Sequence, residues 1–265
     1  MATVSSKDGA ILGYETKGRG PVLIFVHGAM QFRGSDPQTP ALRDMLAEKF
    51  TTVLYDRRGR GQSTDILPYA VDREVEDIAA IIDASGAKAS LFGMSSGAVL
   101  AIQAAAAGAA IEKLVLYEPP FIVDDSRPDY PSDYVETLDR HIAAGERSEA
   151  VAYFMTVAVG LPADQVEPMK RGGFWSVMEG VAHTIAYDAR VMTEAYAGGR
   201  FPAAWKSLRT PILVIDGGAS LPFLPAAADA VAAALPNGVR KTLGGEGHGA
   251  DPTVLAPVIV EFAST

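Results

Sequence analysis

The 265-residue chain contains no cysteine. That removes disulfides, thiolate nucleophiles and zinc–thiolate centres together. Basic residues are also in deficit. Twenty-three Lys and Arg stand against 32 Asp and Glu, a formal net charge of −9. Such a surface repels phosphate backbones, so nucleic acid is not expected as a partner. No apolar run reaches the ~18–20 residues that a bilayer crossing needs. The stretch from Val99 to Ile111 is shorter and mostly alanine. The opening residues, MATVSSKDGA, lack a basic segment followed by an apolar one, the pattern of a signal peptide. No P-loop is present, and no GxGxxG follows the first buried strand, so no nucleotide cofactor is indicated. These absences leave a cytoplasmic protein with no membrane partner as the expectation.

What is present alternates. TVSS and AILGYETKG read as a hairpin around Lys7-Asp8-Gly9. PVLIFVHG, TTVLYDRRG, ASLFGMS, EKLVLYEPP and TPILVIDGG are continuous apolar runs, and GVRKTLGG a further strand. Apolar runs of this kind are strands buried on both faces. Between them lie helical stretches. From Asp72 to Ser85, Val75, Ile78, Ala79 and Ile82 recur at helical spacing. Ser96–Ala107, Pro225–Leu235 and Pro252–Phe262 read as further helices. The alternation predicts an α/β fold with a mostly parallel sheet covered on both faces. It lapses from about Ile122 to Trp205, where the chain turns helical and acidic. The expectation is a core of residues 1–121 and 206–265, with 122–205 inserted as a helical lid.

Gly93-Met94-Ser95-Ser96-Gly97 falls between a buried strand and a helix. A Gly-x-Ser-x-Gly there is a nucleophile elbow, whose sharp turn lifts the central serine above the sheet. Ser95 is the candidate nucleophile. Ser96 opens the helix and is expected to act through its backbone N–H, not its hydroxyl, because helix N-termini carry unpaired donors that suit an oxyanion. The earlier strand ends in His27-Gly28-Ala29, and Ala29 N–H is the second candidate donor. His27 reads as a structural residue. Of the other histidines, His141 and His183 fall in the inserted segment and read as packing or pocket residues. His248 lies in the Gly-rich loop GGEGHGAD after the last strand, placed to act as general base on Ser95.

Together, His27-Gly28, Asp56 to Ser63 (DRRGRGQS), Gly93 to Gly97 and Gly247-His248-Gly249 resemble the α/β-hydrolase-fold enzymes over nearly the whole chain. The resemblance implies a mostly parallel eight-stranded sheet with flanking helices. It also implies that DRRGRGQS is a structural turn, not a substrate clamp. One piece departs from the pattern. Many members carry the triad acid after the seventh strand, where this chain reads Gly217-Gly218-Ala219-Ser220. Asp216 lies about four residues too early and could tie down the following turn. Glu118 ends the strand after the elbow helix, an alternative position that resembles the zearalenone-lactone hydrolases. A glutamate closing an apolar strand also needs a partner if buried. Asp124 and Asp125, or no acid at all, complete the alternatives to Glu118 and Asp216.

The chemistry expected is attack of Ser95 on a carbonyl, an acyl-enzyme, and hydrolysis of a carboxylic ester or lactone, with no metal or other cofactor. Other serine-dependent reactions, such as carbon–carbon bond hydrolysis or perhydrolysis, and a non-catalytic ligand-binding role are the alternatives. Met30, Met94, Phe121, Phe154 and Trp175 are the candidate pocket residues. A monomer or homodimer acting on a small molecule is expected, and the acidic insertion disfavours carboxylate-bearing substrates.

Overall fold

The computed structural model describes residues 2–35, 37–86 and 88–264. The N-terminal hairpin forms as expected. β1 (Ala2–Ser5) pairs antiparallel with β2 (Ile11–Lys17), and the Asp8 carboxylate accepts from Ala10 N–H across the turn. Six parallel strands follow: β3 (Val22–Val26), β4 (Thr51–Tyr55), β5 (Ala89–Met94), β6 (Ile111–Tyr117), β7 (Ile212–Gly217) and β8 (Gly238–Leu243). The sheet order is β1-β2-β4-β3-β5-β6-β7-β8.

The apolar runs alternate between two separate cores. Ile24, Val26, Leu91 and Leu116 face one side with α2 (Val71–Ser85), α3 (Ser96–Ala106) and α9 (Phe223–Ala234). Leu23, Phe25, Phe92 and Val115 face the other with α1 (Gln38–Leu46) and α10 (Pro252–Ala263). Burial of both faces explains why these strands carry no polar alternation. Ala98, Ala101, Ala104 and Ala105 bring α3 close to the sheet, so its alanines are packing residues.

Between β6 and β7 the chain forms α4 (Tyr134–Ala143), α5 (Arg147–Val157), α6 (Ala163–Met169), α7 (Gly173–Gly180) and α8 (Ile185–Ala195). These helices share a third apolar cluster that includes Leu138, Val151, Trp175 and Met178. Both ends of the segment are fastened to the core. Phe121 packs on Tyr196, Phe201 and Trp205, with ring centroids 5.0–6.1 Å apart. Val191 and Ala195 of α8 join the core cluster around α3. Among the described residues, no helix is long and apolar enough to cross a membrane.

Because β3, β5, β6, β7 and β8 run parallel, their carboxyl ends open on one edge of the sheet. Crevices at that edge are where open α/β sheets bind ligands.

Candidate active site

The elbow depends on its glycines for space. A Cβ on Gly97 would lie 2.2 Å from the Val26 carbonyl oxygen and 2.5 Å from that of His27. A Cβ on Gly93 would lie 2.6 Å from Ala98 Cα. With both bare, the chain turns from β5 into α3 within one residue. Ser95 takes φ 55° and ψ −128°, and its N–H donates to the Tyr117 carbonyl at 2.8 Å.

Among the described residues only three other than glycine have positive φ: Met30 at 58°, Ser95 at 55° and Glu118 at 48°. They follow the ends of β3, β5 and β6, so the strained backbone is gathered at one site. Strain of this kind persists only where the surroundings fix it, and it concentrates where side chains must be aimed.

Glu118 is fully buried. Its Oε2 lies 2.6 Å from His248 Nδ1, and its Oε1 accepts from Gly217 N–H at 2.7 Å. A carboxylate accepts, so the contact suits the tautomer with the proton on His248 Nδ1, in which Nε2 keeps its lone pair. The loop bearing His248 is tied down by the Tyr117 hydroxyl, which donates to the Gly247 carbonyl. About half of the His248 side chain (48%) remains exposed, on the side of a cavity that it shares with Ser95.

Asp216 is equally buried but committed elsewhere. Arg240 donates to both its oxygens, at 2.7 and 3.0 Å, and Thr242 Oγ1 donates from the same neighbouring strand. It therefore braces β7 against β8 and does not tie down the Gly217-Gly218 turn. Asp124 and Asp125 are exposed at the cavity mouth. Ser220 lines the cavity, and its hydroxyl has no hydrogen-bond partner among the described residues.

The cavity measures about 810 Å³. Ala29, Ser95, Ser96 and His248 lie in its wall, so the expected nucleophile, base and two oxyanion donors border one space. Of the expected pocket residues, Phe121 and Phe154 line it. Met30, Met94 and Trp175 do not. Met30 and Trp175 are consumed by the packing of the inserted helices, and Trp175 Nε1 donates to Ser148 Oγ at 2.8 Å. Met94 packs on the opposite side, against the cluster under α1 and α10. Periodicity and proximity in sequence could not separate these, because an elbow residue one position from Ser95 points the other way. Tyr130, Tyr134, Met192 and Tyr196 supply wall that those three were expected to provide.

Beneath the site lies a buried ionic cluster. Arg57, Arg58 and Arg60 are all buried, and none lines the cavity. Arg57 forms a bidentate pair with Glu74 at 2.6 and 2.7 Å, and Arg58 one with Asp77 at 2.7 and 2.8 Å. Arg57 and Arg60 converge on Asp188 of α8. Burial opposes the charge on Asp188, but the two guanidiniums outweigh it and hold its carboxyl below the usual range. Asp188 also accepts from the Ser96 hydroxyl at 2.7 Å. The Ser96 hydroxyl is thus engaged in this cluster. No motif marks Asp188 in the sequence, where it is one carboxylate of an amphipathic helix.

Residues 23–258 match the sequence profile of the alpha/beta hydrolase family. An alpha/beta hydrolase from Sphaerobacter thermophilus superposes with a TM-score of 0.90 at 46% identity, over 99% of this chain and 100% of that one. The bifunctional esterase/perhydrolase DCH of Acinetobacter calcoaceticus is 29% identical over 234 residues, 82% of this chain and 81% of its own. The 2-(acetamidomethylene)succinate hydrolase of Mesorhizobium japonicum is 26% identical over 216 residues, 79% of this chain and 74% of its own. With the fold, the elbow and the extent of the match in agreement, the chain belongs to the alpha/beta hydrolase family.

Proposed function

We propose that this hydrolase cleaves uncharged carboxylic esters or lactones through an acyl-enzyme on Ser95. The observation that carries the reading is the 2.6 Å contact between buried Glu118 and His248 Nδ1, on the wall of the cavity that Ser95 lines. It orients an imidazole whose Nε2 can accept the serine proton. Ser95 Oγ attacks the carbonyl carbon as His248 takes its proton. The alkoxide is held by the Ala29 and Ser96 N–H groups, and removing one such donor typically costs about 10²–10³ in rate. Collapse expels the leaving alcohol, which takes the proton from His248. Water, deprotonated by the same imidazole, then releases the acid.

The cavity wall favours a neutral acyl or alcohol portion. Among the described residues that line it, Asp124, Asp125, Asp129 and Asp188 are acidic and none is Lys or Arg. A substrate carboxylate would find no cation there. The segment 122–205 serves in this reading as the lid that shapes the specificity.

The test is a panel of short-chain aryl esters and lactones, each neutral ester paired with a carboxylate-bearing analogue. Turnover is expected for the neutral member and is lost at least about 10³-fold in Ser95→Ala. An unchanged rate in that variant overturns the mechanism, and preference for the anionic member overturns the specificity. A parallel assay with hydrogen peroxide reads whether the acyl-enzyme also yields a peracid.

A further inference from the structure

The mechanism above uses the backbone of two separate loops as oxyanion donors and gives one carboxylate beside them, buried under the cavity, no part in the chemistry. That carboxylate, Asp188, reaches both loops. Its Oδ1 accepts from the Ser96 hydroxyl at 2.7 Å and from Arg57 Nη1 at 2.6 Å. Its Oδ2 accepts from Arg60 Nη2. The same two guanidiniums continue to the other loop. Arg60 Nη1 donates to the Gly28 carbonyl at 2.5 Å and to that of Gln31 at 3.2 Å. Arg57 Nη1 donates to the His27 carbonyl at 3.0 Å. Ala29 therefore sits between carbonyls that are pinned on both sides, and Ser96 is pinned by its own hydroxyl.

We propose that Asp188 is a positioning residue for the oxyanion hole, which fixes the Ala29 and Ser96 donors relative to each other from a helix of the inserted segment. The inference rests on the acyl-enzyme reading and deepens it. Two donors on different loops must converge on one oxygen within a fraction of an ångström, and misplacement by about 1 Å can cost about 10²-fold. Here each donor is held through a side chain or carbonyl bonded to one network, and that network has its common point at Asp188. The arrangement also makes the insertion part of the machinery: α8 must be seated for the donors to be aligned.

The geometric and electrostatic parts separate by mutation. Asp188→Asn leaves Arg57 paired with Glu74 and takes from Arg60 the carboxylate it pairs with, so it disturbs charge as well as position. Ser96→Ala removes a single hydrogen bond and keeps every ion pair. With a neutral aryl ester, Ser96→Ala is expected to lower kcat about tenfold with KM changed less than threefold, and Asp188→Asn to lower it further. The affinity for an aryl boronic acid, whose adduct on Ser95 is tetrahedral, should fall in parallel. A residue that merely fastened the insertion would lower the melting temperature and leave kcat and boronate affinity of the folded enzyme intact. That result in either folded variant overturns the proposal. If Asp188→Asn does not fold, Ser96→Ala decides alone. Ser95→Ala in the same assay keeps the two readings apart. If it is inactive while Ser96→Ala is at wild-type level, the positioning role fails and the acyl-enzyme stands. If it is active, the acyl-enzyme itself fails.

Discussion

Glu118 and Asp216 are both fully buried carboxylates at the ends of adjacent strands, and only their hydrogen bonds tell them apart. The two substitutions should separate catalysis from stability. Glu118→Gln preserves an acceptor for Gly217 N–H but removes the charge opposite the imidazolium, and kcat should fall about 10²–10⁴-fold, by analogy with loss of a triad acid. Asp216→Asn should leave kcat within about threefold while costing about 1–3 kcal/mol in denaturant unfolding, because the partly exposed Arg240 loses its buried partner. A reversed pair of results would assign the acid to Asp216. Sequence narrowed the choice without closing it. The serine at position 220 spoke against the usual acid site, yet nothing in the string of residues tells that Asp216 points at Arg240. That contact depends on the register of Asp216 opposite Thr242 in the β7–β8 pair, and register is a property of pairing.

At the scale of elements, the core strands and helices were readable because burial on both faces leaves uninterrupted apolar runs and clear helical periods. Ends were placed within a few residues; the helix read from Pro225 begins at Phe223, and the one read as Ser96–Ala107 ends at Ala106. The inserted helices were readable only as a class. Their aromatic residues divide between self-packing and cavity wall, and the split follows from helix orientation, as Trp175 and Phe154 show by taking opposite roles. The glycines make the same contrast testable. Gly97→Ala drives a Cβ into two backbone carbonyls that cannot move without shifting β3, and should destabilise by about 3 kcal/mol or more, or abolish folding. Gly173→Ala at the start of α7 meets nothing within 4 Å and has no positive φ. It should stabilise by about 0.5 kcal/mol. Equal effects in thermal or urea unfolding would mean that the elbow is less tightly packed than the distances require.

For the whole molecule, the acidic composition is less informative than where the titrating groups are buried. His183 stands at the junction between the insertion and the DRRGRGQS turn. Burial depresses its pKa below the ordinary 6.5, and the attraction of Asp65, 3.8 Å away, does not overcome burial and the Arg147 and Arg60 charges. A histidine with a depressed folded pKa contributes stability that is present above about pH 6.5 and is lost as pH falls through the folded value. Asp188 and Asp56 act the same way lower down. Burial opposes both, but Arg57 and Arg60 hold Asp188 low, and Arg33 with backbone N–H groups holds Asp56 low. Their contribution is full above the unfolded value of about 3.9 and is lost as pH falls through their lower folded values. Asp77 runs opposite. Burial raises its pKa despite Arg58, so its contribution is present below about pH 3.9 and is lost as pH rises through the raised value. Two acid steps should therefore appear in urea midpoints, one beginning near pH 6.5 and one below about pH 3.9. His183→Gln, neutral at every pH, should flatten the first and leave the second in place. An undiminished first step in that variant would leave the junction without a proton-sensitive contact.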